Sequence, residues 1–220
     1  MRVPVLCSVL LFLVASCAPR CNEFYPYHDD GSQKPHIALV SFHDSSEQDL
    51  GWDFMKETEN NVRFRLMRSG KVYLPPMKKI EEKTDGKTAK ELIGFKDLHA
   101  FLRFQPAHFV ALVELVEFKS VPYKPGAIKP LYVASVDPRE AFVLLMKARL
   151  KIVDIRGGAP RIVRQEIIES NHVIDKTDYA ESLLVHGKDG FPSSALGLAQ
   201  KRLIEQLMDK IEKTTCYKVS

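Results

Sequence analysis

The sequence predicts an α+β fold of two layers, in which the helices pack on one face of a mostly antiparallel mixed sheet. Three observations predict this class. Residues 36–42 form a compact apolar run typical of a buried strand, a hairpin pattern begins at 141, and 193–213 has the apolar period of an amphipathic helix. With 220 residues, 45% hydrophobic and 27% charged, the chain can bury the core of one domain. The predicted order of elements is β-α-β-α-β-β-β-α.

The domain begins with the strand at 36–42 and a long helix. Ser45, Ser46 or Asp49 could cap this helix, because their side chains accept hydrogen bonds from free backbone N–H groups. Its buried stripe recurs at four-residue spacing and consists of Leu50, Phe54, Thr58, Val62 and Leu66. Gly70 ends the helix, since glycine readily adopts the left-handed conformation found there.

Three further elements lead to the middle of the chain. Residues 72–74 precede two prolines and predict a short strand. Residues 97–104 have the apolar spacing of a short helix, and 109–118 form a long apolar strand. No element is predicted for the densely charged segment 77–91, and the proline-rich segment 120–138 is predicted to be an exposed connection.

The clearest hairpin has its first strand at 141–155. Apolar residues there alternate with Lys147, Arg149 and Lys151, which predicts a half-buried strand with a cationic outer face. A turn with two glycines leads to the return strand at 161–169. The cationic row is a candidate interaction surface for an acidic ligand, but pairing with carboxylates of neighbouring strands is the favoured interpretation. Those carboxylates are Glu114, Glu117, Glu166 and Glu169.

The chain ends in a predicted amphipathic helix capped by Ser193 or Ser194. Its apolar stripe consists of Leu196, Ala199, Leu203, Leu207 and Ile211. A helix that runs from 193 to 213 is long enough to lie across the sheet and cover it. No element is predicted for 170–192.

The N-terminus has the pattern of a secretory signal. Arg2 supplies a positive charge, and the apolar run from 5 to 15 is shorter than the roughly 18 to 20 residues that cross a bilayer. The run ends in small residues before Cys17, and this ending resembles the lipobox of bacterial lipoproteins. The alternative is an ordinary secretory signal cleaved at Ala18 or later.

The lipoprotein resemblance implies three segments: a signal peptide at 1–16, a lipidated tether at 17–35 and one periplasmic domain at 36–220. Cys17 would carry the lipid and anchor the protein to a membrane, facing the periplasm. Ala18 stands where lipoproteins retained in the inner membrane commonly have Asp, so the resemblance favours the outer membrane.

Two cysteines remain for the folded protein once the signal and the lipid are accounted for. Cys21 and Cys216 lie near opposite ends of the mature chain, and an oxidising compartment permits a disulfide between them. Two free thiols or an intermolecular bridge are the alternatives. The chain lacks Cys-x-x-Cys and paired Cys/His spacings, so no metal site and no cofactor are predicted.

Segments in three parts of the domain suggest a second resemblance. The strand at 36–42, the hairpin turn at 152–163 and the run at 190–195 are similar to the curli-secretion lipoprotein (CsgG) and penicillin-binding-protein activator (LpoB) group. This resemblance implies either a ring-forming export channel or a regulator that contacts an envelope enzyme. A channel needs membrane-crossing amphipathic hairpins. Only 142–155 approaches one, and its cations oppose contact with lipid.

The net charge and the absence of known motifs argue against nucleic acid binding, a nucleotide site and the common hydrolase classes. A formal net charge of +4 is too mild to indicate nucleic acid binding. Residues 86–88 resemble the end of a phosphate-binding loop, but Glu81 stands where its first glycine should be. No hydrolase or dinucleotide motif is present.

We therefore expect a non-catalytic, lipid-anchored periplasmic protein that contacts an envelope partner or forms a homo-oligomer. Its expected role is in envelope assembly, secretion or cell-wall regulation. A ring-forming export-channel subunit and an envelope hydrolase are the alternatives.

Overall fold

The computed structural model describes residues 25–46, 50–124, 132–133 and 140–216. The predicted signal peptide, Cys17 and Cys21 lie outside these ranges, so those predictions remain untested. Residues 25–35, predicted as part of a tether, include a bridge between Tyr27 and Gln33. Lys34 is 2% exposed, so the end of this segment packs against the domain.

One mixed sheet forms the centre of the fold. Its strands, in chain order, are β1 (Ile37–Asp44), β2 (Phe109–Pro122), β3 (Tyr132–Val133), β4 (Ala141–Asp154) and β5 (Arg161–Asp175). The spatial order is β1-β2-β4-β5-β3. β2, β4 and β5 are antiparallel neighbours, while β1 is parallel to β2 and β3 is parallel to β5. The predicted mixed and mostly antiparallel α+β class is confirmed.

Five α-helices accompany the sheet in the described ranges. They are α1 (Phe54–Ser69), α2 (Met77–Thr84), α3 (Ala89–Ile93), α4 (Lys176–Leu184) and α5 (Ala195–Thr215). A 3₁₀ helix covers Leu98–Phe104, and two further single 3₁₀ turns cover Arg156–Gly158 and Phe191–Ser193. None of the helices in this part of the chain combines the length and apolar character that a membrane crossing requires.

The larger hydrophobic core lies between the sheet and the two long helices, α1 and α5. The alternation in β4 puts its even-numbered apolar residues on this side, where Met146, Leu150 and Ile152 are fully buried. The stripe predicted for α5 meets them, and Leu203 and Leu207 are also fully buried. The prediction that the final helix covers the sheet is confirmed.

A second core lies on the opposite face of the sheet. Short helical segments there bring Ile80, Leu92 and Phe101 against Leu112 of β2 and Val153 of β4. The expectation that helices pack on one face therefore holds for α1 and α5 but not for α2, α3 and the 3₁₀ helix. The helices α2 and α3 carry few apolar residues in a charged background, so their period is weak in the sequence, whereas the 3₁₀ helix matches the short helix predicted at 97–104.

Several predicted boundaries also change. Asp53 rather than an earlier residue caps α1, because its carboxylate accepts a hydrogen bond from the Lys56 N–H at 2.8 Å. Gly70 ends that helix with φ of 67°, as predicted. The strand predicted at 72–74 is a single bridge between Tyr73 and His36. The unassigned segment 170–192 contains the end of β5, α4 and the start of a 3₁₀ turn.

Candidate functional site

A cavity of about 410 Å³ opens between β5, α4 and the first turns of α5. Its walls combine apolar side chains with charged and polar ones. The lining includes His172, Ile174, Asp178, Glu181, Leu198 and Arg202. No residue of this group belongs to a predicted site, because the sequence assigned no element to most of this segment.

His172 is the most unusual group in the cavity wall. Its side chain is 3% exposed, and its Nε2 lies 2.7 Å from the Ser170 hydroxyl oxygen. Burial, together with the positive charge of Arg202, lowers the pKa of His172 to about 4. The imidazole is therefore neutral at neutral pH, so it offers one donor and one acceptor rather than a charge.

Local structure in β5 and α4 explains this placement. The period of two along β5 turns Ser170 and His172 toward α5. The strand then passes directly into α4, whose first turn is capped because the Asp175 carboxylate accepts the Thr177 N–H at 2.7 Å. This tight junction brings the acidic first turns of α4 to the cavity beside His172.

The second wall of the cavity is formed by the start of α5, which packs closely against the 3₁₀ turn that precedes it. Ser194 caps α5 by accepting the Gly197 N–H at 3.2 Å. A Cβ at Gly197 would lie 1.9 Å from the carbonyl oxygen of Phe191, so only glycine fits here. Ser182 of α4 accepts the Leu196 N–H at 3.2 Å and donates to the Asp178 carbonyl at 2.6 Å. These contacts join α4, α5 and the segment between them.

The charged groups of the cavity come from α4 and α5. Ser170, which is hydrogen-bonded to His172, is fully buried behind the cavity wall. The lining offers one guanidinium, from Arg202, and two carboxylates, from Asp178 and Glu181. In the described ranges, no cluster of three or more His, Cys, Asp or Glu side chains is arranged to hold a metal ion.

The predicted cationic row lies on the face of the sheet that points away from α5. Lys147 Nζ is 2.9 Å from a Glu117 oxygen, and Arg149 Nη1 is 2.6 Å from a Glu114 oxygen. The favoured interpretation, pairing across strands, is confirmed for both cations. Lys151 instead donates to the Phe95 carbonyl at 3.3 Å, and burial lowers its pKa.

These ion pairs form a continuous surface on β2, β4 and β5, which we call the ladder face. It is defined by Glu114, Glu117, Lys147, Arg149 and Glu169. Ile167, directly opposite Arg149 on β5, is 46% exposed beside it. A groove of about 190 Å³ adjoins the ladder face where Gln165 and Lys151 meet Ile93 of α3.

Cys216 directly follows α5, with its sulfur 3.9 Å from the Lys71 carbonyl oxygen. Burial raises the pKa of its thiol. Because Cys21 lies outside the described residues, the disulfide between the two remains a prediction.

Comparisons with known proteins extend these observations. A family model described as a family of unknown function (DUF7499) matches residues 23–218. No match is found among the curated proteins.

The hypothetical protein CT253 from Chlamydia trachomatis is similar in structure, with a TM-score of 0.61 and 19% identity over 83% of this chain and 98% of that one. The lipoprotein GNA1162 from Neisseria meningitidis has a TM-score of 0.43 and 11% identity, over 82% of this chain and 99% of that one. The chlamydial similarity shows a shared fold. Neither protein is described as a member of the CsgG and LpoB group, and that resemblance remains a prediction.

Proposed function

Because the chain belongs to the DUF7499 family, whose function is unknown, we propose a role for it from its own residues. The protein is a lipid-anchored component of the bacterial envelope that faces the periplasm, on the outer membrane. It acts by contact with another envelope protein, in envelope assembly, secretion or cell-wall regulation. Its resemblance to the CsgG and LpoB group supports the regulatory version of this role.

The anchor rests on the N-terminal sequence. The apolar run and the small residues before Cys17 fit the lipobox pattern, and Ala18 fits outer-membrane sorting. Lipid on this cysteine would leave only a short segment before the packed region near Lys34. Since a residue spans at most about 3.6 Å, such a tether keeps the domain within roughly 60 Å of the membrane.

The ladder face is the observation that carries the contact role. It presents paired charges of both signs, with the Arg149 side chain 43% exposed and that of Glu169 56% exposed. Exposed Ile167 lies among them. An apolar centre with a charged and polar rim is the usual anatomy of a protein interface. Because each cation already has a carboxylate partner, a protein of mixed surface charge fits better than a polyanion.

The anchor is tested by fractionating cells that express Cys17→Ala. We expect this variant to lose lipid labelling and move to the soluble fraction, because the proposed lipid attachment is removed. Cys21→Ala is the matched control, since it changes a nearby cysteine outside the lipobox, and it should stay with the membrane. Lipid labelling of the Cys17→Ala protein would refute the anchor.

The contact is tested in cells with a photo-crosslinking amino acid at Lys147, in the centre of the ladder face. We expect one discrete adduct with another envelope protein. The control position is Phe64, which is 58% exposed on α1, in the layer on the opposite side of the sheet. Equal adducts at both positions, or none at Lys147, would contradict the proposed contact surface.

A further inference from the structure

The chain between α4 and α5 forms part of the cavity wall. Val185 and Gly190 line the cavity from this stretch. We call residues 185–190 the connecting segment. It turns sharply at Gly187, whose φ of 75° lies in the left-handed region that glycine adopts without strain. His186, next to this turn, contacts the chain at the start of α1, so this histidine joins the cavity wall to another part of the fold.

The ring of His186 lies against two aromatic side chains. It stacks on the indole of Trp52, with ring centroids 3.9 Å apart and ring planes inclined by 18°. Phe191 packs nearly at right angles to both rings, with its centroid 4.9 Å from the imidazole and 6.1 Å from the indole. Trp52 Nε1 is buried and bonds to no group in the described ranges, so ring packing holds the indole in place.

A carboxylate from α1 meets the same imidazole. Glu57 Oε2 lies 3.1 Å from His186 Nε2. Glu57 belongs to the first turn of α1, where the helix dipole favours a negative charge. The neighbouring Lys56 pairs with Glu59 at 3.2 Å rather than with Glu57. The Glu57 carboxylate is therefore placed to hold a charged imidazole.

Protonation of His186 strengthens both contacts. An imidazolium donates a charge-assisted hydrogen bond to a carboxylate, and as a cation it is attracted to the face of an indole. Imidazole side chains change charge between roughly pH 5 and 8, whereas a carboxylate stays ionised above about pH 5. The contact between the connecting segment and α1 is therefore strongest in mild acid and weakens as the pH rises.

Other charged groups near the ring do not reverse this effect. The elements packed against His186 are the stretch before α1, α1 itself and the 3₁₀ turn before α5. Among their charged side chains in the described ranges, Glu57 contacts the ring and Asp53 caps α1. Both are acidic and favour a charged imidazole. Lys188 and Asp189 are exposed in the connecting segment itself and carry opposite charges.

We propose that His186 is a pH-responsive latch that fastens the connecting segment, and with it one wall of the cavity, to α1. In mild acid the charged imidazole binds Glu57 and Trp52 and holds the wall in place. At higher pH the neutral imidazole holds it less tightly, and the segment opens more often. The inference goes beyond the proposed function and does not rest on it, because it involves neither the lipid nor the ladder face.

The fluorescence of Trp52, the single tryptophan of the chain, provides the first test. An imidazolium in contact with an indole quenches its emission far more than a neutral imidazole does. Emission of the full-length protein in detergent should therefore fall in one transition between about pH 8 and 5. His186→Phe keeps a ring on the indole but cannot titrate, so the transition should disappear. The matched control, His99→Gln at an exposed position, should keep it.

Hydrogen exchange provides the second test, because it measures how often the connecting segment opens. At about pH 5.5, the amides of residues 187–190 should exchange roughly threefold faster in Glu57→Gln than in the wild type, the effect expected of a partly exposed ion pair. At about pH 8 the two proteins should nearly match, since the imidazole is then neutral in both. Glu205→Gln is the matched control: it breaks an ion pair with Arg65 on α1 and should leave these amides unchanged.

Three results would overturn the proposal. A fluorescence transition that persists in a folded His186→Phe protein would show that another group quenches Trp52. Equal exchange in the wild type and Glu57→Gln at both pH values would show that the pair does not hold the segment. An equal acceleration at both pH values would show a contact without a pH response. If circular dichroism shows that His186→Phe does not fold, the Glu57→Gln exchange measurements decide alone.

Discussion

His172 should make the protein less stable in mild acid. In the folded protein its pKa is about 4, while an unfolded chain restores the ordinary value of 6.5. Between these values the unfolded state binds the proton and the folded state does not, so stability falls as pH decreases. The contribution is complete above about pH 6.5 and is lost progressively toward pH 4.

The size of the effect follows from the two pKa values. Between pH 7.5 and 4.5, the linkage relation predicts a loss of about 2.5 kcal/mol in unfolding free energy from this single group. That is a large share of the roughly 5–15 kcal/mol typical of a domain. The burial that causes the shift is clear in the structure, since the imidazole is only 3% exposed.

Urea unfolding at a series of pH values measures this contribution. His172→Gln removes the titrating group, so its unfolding free energy should change less over the same interval, by about 2.5 kcal/mol. The difference between the two proteins is the informative quantity, because other carboxyl and imidazole groups titrate in both. His99→Gln, at an exposed position, serves as the control and should follow the wild type. Parallel curves for wild type and His172→Gln would refute the assigned burial.

Two further substitutions test contacts elsewhere in the fold by the same unfolding assay. Gly197→Ala should cost about 1–3 kcal/mol, because its Cβ would lie 1.9 Å from a backbone oxygen, whereas Gly190→Ala meets nothing within 4 Å and should change stability little. Equal effects of the two would contradict the close contact. Arg149→Ala should cost about 1–3 kcal/mol, since its partner carboxylate is only 13% exposed and would be left buried. Lys176→Ala breaks a pair whose side chains are 64% and 60% exposed and should cost less than about 0.5 kcal/mol; a similar loss in both would refute this difference.

Elements with a clean apolar period were predictable from the sequence. The alternation around Lys147 and Arg149 predicted both the strand and the side that its cations occupy, and β4 confirms it. Their partners on β2 were among the four candidate glutamates, because cross-strand neighbours must share a face. The fully buried stripe of α5 was equally clear.

The cavity could not be predicted, for a physical reason. Ser170 and His172 point inward from β5, so polar residues occupy positions where the period of two calls for apolar ones. Because these polar residues interrupt the alternating pattern, the predicted strand ends at 169 and no element is predicted for the following segment. Arg202 reaches the cavity from α5, and only the packing of that helix on β5 brings it near His172. The sequence does offer one signal for this longer strand: an apolar residue, Ile174, stands where the alternation begun at 161–169 would place it.

The polar character of β5 continues where the strand meets α5. β4 supplies an apolar inner face to the main core, whereas β5 meets α5 partly through polar contacts. Arg164 donates to Thr214 at 3.0 Å, and Lys210 Nζ lies 3.6 Å from a Glu166 oxygen. These polar contacts take the place of the apolar stripe that made β4 predictable. The sequence alone therefore does not show that β5 also lies beneath α5.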